Sequence, residues 1–167
     1  MTKIRYKMIK KVYLSLIIAT LFLLSNCNNS AKTQSINMKT VEKVDLKRYM
    51  GVWYEIARFN HSFEKGMVGV TATYTLKENG KVDVLNQGYK DSLSGKLKRA
   101  KGFAKIPNPN EPGRLKVYFF WPFGGEYLIL DLDENYQNVL IGTSSKKYMW
   151  ILSRTPQMDD LTYSRLL

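Results

Sequence analysis

Gly51-Val52-Trp53-Tyr54-Glu55-Ile56-Ala57-Arg58 decides the reading of this chain, together with Tyr148-Met149-Trp150-Ile151-Leu152-Ser153-Arg154-Thr155-Pro156 near its end. A tryptophan near the start of a first strand and an arginine at the end of a last one can stack as a cation–π pair, worth about 0.5–2 kcal/mol depending on desolvation. Trp53 and Arg154, with Gly51 beside them, are the candidates to plug one end of a closed sheet.

Working outward, the residues between these stretches read as short strands separated by turn signals, the pattern of an all-β sandwich or barrel. In the clearest strand Thr71, Thr73 and Thr75 alternate with Val70, Ala72, Tyr74 and Leu76, so one face is polar and the other apolar. Asn79-Gly80 is a strong hairpin signal, and Val82 to Tyr89 returns. Further strands are predicted at Leu97 to Ile106, Arg114 to Trp121, Tyr127 to Asp133, Asn138 to Thr143 and Lys147 to Arg154. Consecutive hairpins imply a meander, and closing it removes the exposed edges. Periodicity alone leaves a sandwich open. Ahead of the first strand, Asp45 is placed to cap a short helical turn through Met50.

The first motif continues through Phe59-Asn60-His61-Ser62-Phe63-Glu64, Val70-Thr71-Ala72-Thr73-Tyr74 and Leu130-Asp131-Leu132-Asp133 to Trp150-Ile151-Leu152-Ser153-Arg154. Together these resemble the lipocalins, and among them the bacterial outer-membrane lipocalins, over roughly Val44 to Pro156. The resemblance implies an eight-stranded antiparallel up-and-down β-barrel, with the helical turn covering its closed end. Family members continue past Ser-Arg-Thr-Pro into a long helix packed on the barrel wall. Here residues 157–167 supply only its beginning, with Asp159 and Asp160 near the positive end. A truncated, frayed helix and an uncovered apolar patch are therefore expected.

Parity then decides which side chains look inward. From the second strand these are Ala72 and Tyr74, from the third Val84 and Asn86, from the fourth Ala100, from the fifth Val117 and Phe119. The sixth contributes Tyr127 and Ile129 and the last Tyr148 and Trp150. Bulges can shift this assignment by one residue. Small residues facing aromatic ones leave room for an amphiphile, with apolar wall for an acyl chain and Asn86 and tyrosine hydroxyls for a head group. The residues by themselves serve equally well as the packed core of a barrel with a structural or protein-docking role. The resemblance favours a small hydrophobic ligand such as a fatty acid or lysophospholipid.

Two loops flank the expected mouth. Phe63 and Met67 either gate the entrance or cover neighbouring loops. Trp121-Pro122-Phe123-Gly124-Gly125 reads as an aromatic loop whose Pro and Gly are turn formers, and it either meets a bilayer or packs under the barrel.

The N-terminus reads as an address. Lys3, Arg5, Lys7, Lys10 and Lys11 precede an apolar run from Leu14 to Leu24, too short for a typical membrane-spanning helix, and Leu24-Ser25-Asn26-Cys27 follows. Residues 1–26 are assigned as a lipoprotein signal peptide, with Cys27 as the acylated residue, 27–43 as a tether and 44–167 as the barrel domain. Cys27 is the sole cysteine, so an exported chain forms no internal disulfide. Asn28 is not the aspartate that retains lipoproteins in the inner membrane of enteric bacteria, which favours the outer membrane. Of 26 basic residues five precede Cys27, leaving 21 against 14 acidic ones and a net charge of +7. That surplus suits anionic lipid head groups or simply a lysine-rich soluble surface. Without a basic block or a nucleic-acid motif, nucleic acid is not an expected partner.

Catalysis finds little footing. His61 is the only histidine and has no cysteine near it, so neither a histidine-based triad nor a zinc cluster can be assembled. No enzyme activity, metal or cofactor is expected. Asp131-Leu132-Asp133-Glu134 lacks the spacing of a calcium loop and reads as the turn after the sixth strand.

Overall fold

The computed structural model describes residues 38–167. The signal, Cys27 and most of the tether lie outside the described residues. Eight strands run in chain order around one closed barrel: β1 Gly51–Arg58, β2 Met67–Leu76, β3 Val82–Lys90, β4 Leu97–Lys105, β5 Arg114–Phe120, β6 Phe123–Leu132, β7 Asn138–Gly142 and β8 Met149–Ser153. Each strand pairs antiparallel with the next, and β8 closes onto β1. A sandwich is thereby excluded.

The up-and-down order gives the barrel two poles. The turns after β2, β4 and β6 lie at the end where Trp53 enters, and those after β1, β3, β5 and β7 lie at the other. Helix α1, Leu46–Tyr49, closes the first end, its start capped by Asp45 Oδ1, which accepts from the Lys47 amide at 2.9 Å. The preceding chain is tied to the same region by the Val41 amide, which donates to the Ile129 carbonyl at 3.0 Å.

Inside, Tyr49, Trp53, Tyr74, Val84, Ile129, Ile141 and Leu152 share one buried cluster. A side chain of this size gains about 1.5–3 kcal/mol from full burial, so this cluster is the main stabilising element. Bulges interrupt the register between Glu55 and Ala57 and between Ile129 and Asp131. They do not displace the inward sets of β2, β3 and β4. The β3–β4 ladder extends from Val82↔Ala104 to Tyr89↔Leu97, whereas β4 meets β5 only from Phe103↔Tyr118 to Lys105↔Lys116.

Two expectations are corrected. The segment at 121–125 is not a loop: β6 begins at Phe123, and the turn is confined to Trp121-Pro122, whose peptide is cis. Gly124 pairs with Tyr118, and a Cβ there would fall 2.6 Å from the Tyr118 ring, so this glycine is a packing notch for an aromatic ring rather than a turn former. The C-terminus is also not frayed. Helix α2, Asp160–Leu166, is capped by the Asp159 side chain, which accepts from the Thr162 amide at 2.9 Å. Leu166 is buried, and Arg165 donates to both carboxylate oxygens of Asp131 at 3.0 Å.

Candidate ligand-binding site

The floor of the interior is the closing pair. Arg154 Cζ lies 3.8 Å from the centroid of the Trp53 ring. Its Nη1 donates to the Val52 carbonyl and its Nη2 to that of Arg48, both at 2.8 Å. Gly51 has φ +95°, and a Cβ on it would stand 3.3 Å from Arg154 Nη1. Glycine is thus required both for the backbone conformation and for the arginine's approach.

Directly above sits a tyrosine trio. Tyr127 Oη lies 2.7 Å from Tyr49 Oη and 3.0 Å from Tyr74 Oη. Burial pushes the Tyr74 hydroxyl up to about 12 and those of Tyr49 and Tyr127 well above their ordinary value, so all three stay protonated. Leu46, Val82, Ala104, Leu115 and Val117 complete this level, where the remaining space is about 10 Å³, the scale of one water. The lower barrel is filled.

The middle level differs. Asn86 pairs across the ladder with Ala72 on one side and Ala100 on the other, so two short side chains flank it on the inner face. Its Oδ1 is buried without a hydrogen-bond partner. Ala100 is exposed, although its face of β4 is the inner one. Phe119 is 37 % exposed, and Gly102 makes room for its ring: a Cβ there would lie 2.9 Å from Phe119 Cδ1. The predicted residues come from β2 to β6 and from the start of β8, so they ring the interior, in two tiers. Ala72, Tyr74, Val84 and Ile129 belong to the packed tier. Asn86, Ala100, Phe119 and Tyr148 stand higher, with Val117, Tyr127 and Trp150 half-buried against the core.

Sequence reasoning missed a charged cluster at the mouth. Glu55 and Arg58 pair in register with the inward Leu152 and Trp150, and the two form an ion pair. Glu64, in the 3₁₀ turn Ser62–Glu64, accepts from Trp150 Nε1 at 3.1 Å, and its Oε2 lies 2.9 Å from His61 Nε2. The signal that would have found Glu55 was its spacing of two from Trp53. None marked Arg58, because the bulge between Glu55 and Ala57 turns it inward. Burial raises the Glu55 carboxyl, helped by the nearby Glu64, and burial lowers the His61 imidazole. Phe63 stacks on His61 at 3.9 Å, and Tyr148 stacks on Trp150 at 6.0 Å, giving the mouth an aromatic rim.

A closed meander barrel with a cation–π plug at one end and a polar, aromatic mouth at the other defines the class of up-and-down ligand-binding barrels. The chain belongs to the lipocalin family, since the family model described as lipocalin-like domain matches residues 44–167. It is 39 % identical over 146 residues to the outer membrane lipoprotein Blc of Escherichia coli, covering 87 % of this chain and 81 % of that protein. With the protein of the same name in Vibrio cholerae it shares 43 % over 124 residues, covering 74 % of this chain and 72 % of the relative. Among solved structures, insecticyanin from the tobacco hornworm superposes with a TM-score of 0.61 at 20 % identity, covering 78 % of this chain and 79 % of that one, a likeness of fold. The bacterial relatives place the chain at the outer membrane. The family's members are binding and carrier proteins for small hydrophobic molecules, not enzymes.

Proposed function

We propose that the barrel holds one single-chain amphiphile, a fatty acid or lysophospholipid, for lipid storage or transport at the cell envelope, and that acyl groups on Cys27 tether it there. Asn86 carries this reading. A buried carbonyl oxygen with no partner costs about 1–3 kcal/mol, and native interiors seldom leave one without a reason. Its ladder neighbours Ala72 and Ala100 are short, and on our reading a donor on a ligand's head group reaches the oxygen between them. Phe119, Val117 and Trp150 offer apolar wall for the chain. The competing reading, a packed barrel with a structural or docking role, is favoured only by the filled lower level. On our reading the protein binds and releases its ligand without chemistry.

The test is titration with lysophospholipid. About one molecule per barrel is expected, with quenching of tryptophan emission. Ligand at 100 times its Kd stabilises by about 2.7 kcal/mol, so the melting temperature rises. Ala100→Trp fills the approach to Asn86 and abolishes both responses while the circular dichroism of the barrel persists. A folded wild-type protein that gives neither response with any single-chain lipid overturns the reading.

A further inference from the structure

The barrel is polarised from end to end. Of the ten large apolar side chains that stand exposed among the described residues, seven lie at the open pole. Three of them form the tip of the β5–β6 hairpin, with Phe120 80 %, Trp121 71 % and Phe123 80 % exposed. Phe59, Phe63 and Leu93 stand on the neighbouring edges of the same mouth. Trp121 is held at the surface from beneath, its ring 5.5 Å from that of Tyr118 and 6.4 Å from that of Phe103.

The open pole also carries a surplus of cations. Lys65, Lys96, Lys146 and Lys147 lie in the turns of the open pole, and none has a carboxylate partner among the described residues. Lys90 and Asp91, also there, pair with each other at 3.2 Å. The opposite pole mixes the signs: Lys47, Arg48, Lys77 and Lys81 lie there with Glu78, Glu111, Asp133 and Glu134, and Asp159 and Asp160 stand at the start of α2. Exposed aromatic residues ringed by lysine suit the interface of an anionic phospholipid bilayer, where indole and phenyl rings sit at head-group depth and the cations meet lipid phosphates.

We propose that the open pole docks on an anionic phospholipid bilayer through Phe120, Trp121 and Phe123, so that the barrel's mouth faces the lipid surface. This goes beyond the carrier reading and rests on its tether only for location. Eleven residues from Asn28 to Met38 reach at most about 36–40 Å, and a ten-residue strand such as β2 spans about 34 Å along its axis. By length alone, an anchor at Cys27 is therefore compatible with a membrane at the open end.

The experiment uses full-length acylated protein reconstituted into vesicles of phosphatidylglycerol and phosphatidylcholine with brominated acyl chains. Flotation of the protein with the vesicles is recorded first, so a failed anchor is read separately from failed docking. Trp53 is buried and Trp150 half-buried inside the barrel, so Trp121 is the exposed reporter. Bromolipid is expected to quench Trp121 emission, the quenched component being the one that Trp121→Phe removes. Phe120→Ser with Phe123→Ser retains the reporter and loses most of that quenching. Lys146→Gln with Lys147→Gln, two exposed turn residues, lowers it independently of whether the first variant folds. Quenching no greater in wild type than in Trp121→Phe, or unchanged by both pairs of substitutions, overturns the proposal.

Discussion

The guanidinium of Arg154 covers the Trp53 ring at 3.8 Å while its three nitrogens donate to the carbonyls of Val52, Arg48 and Tyr136. One side chain thus binds the start of β1, the end of α1 and the turn after β6. Arg154→Ala is expected to cost about 1–3 kcal/mol, since the stacking is lost and carbonyls lose donors. Trp53→Ala is expected to cost about 3–5 kcal/mol, as a fully buried ring is deleted. The two losses overlap in one contact, so a double-mutant cycle by urea denaturation gives a non-zero coupling. Strict additivity would contradict the pairing.

Cys27→Ser is expected to move the protein from the membrane fraction to the soluble periplasmic fraction without unfolding the barrel. Labelled palmitate enters the wild-type chain and not the variant. Two acyl chains suffice for lasting anchorage, at roughly 0.8 kcal/mol per buried CH₂. Wild-type protein that takes up no label refutes the assignment.

Asn86→Leu is expected to separate stability from binding. Removing a buried amide oxygen that has no partner stabilises the ligand-free barrel by about 1 kcal/mol or more, while loss of the head-group acceptor weakens lysophospholipid binding. Denaturation midpoints and lipid titrations on the same preparation read both effects. A variant that binds as tightly as wild type removes Asn86 from the site.

His61 is the only histidine, which makes its contribution to pH dependence separable. Burial lowers its pKa below the ordinary 6.5, so over the window between the two values the unfolded chain holds a proton that the folded barrel refuses. Stability is complete above pH 6.5 and is lost as pH falls through the lowered value. Glu55 acts in the opposite sense: its raised carboxyl contributes most below its ordinary 4.5, and that contribution is lost as pH rises through the elevated value. Glu64 and Arg58 face both groups and hold them in one network. Melting temperatures of wild type and His61→Gln are therefore expected to converge as pH falls from 6.5. Parallel curves would show that the imidazole is not buried in the folded state.

What could be read beforehand follows from how narrowly each residue's chemistry constrains it. Trp53 and Arg154 were legible because a strand-start tryptophan and a strand-end arginine at opposite ends of a meander can meet only if the sheet closes. The inner wall was legible because the two-residue period of β2, β3 and β4 carries through the bulges. Glu55, Arg58 and Glu64 were not, because charged side chains read as solvated and a bulge leaves no mark in composition. Gly124 was misread for a related reason: a glycine that admits a ring looks like one that makes a turn. The burial of Leu166 goes with the ion pair of its neighbour Arg165 to Asp131 on β6, a long-range contact that no local pattern in residues 157–167 announces.

The short seam between β4 and β5 sets the mechanical character of the whole molecule. A hoop of staves yields where adjoining staves share the fewest fastenings, and here the join stops at Phe103↔Tyr118 while β3 grips β4 as far as Tyr89↔Leu97. The stretch from Leu97 to Gly102 is therefore a flap hinged on β3 alone, beside Phe119 on the free side. Widening the mouth by swinging that flap breaks no ladder bond to β5, so on the carrier reading a guest enters without loosening the plug at Trp53 and Arg154.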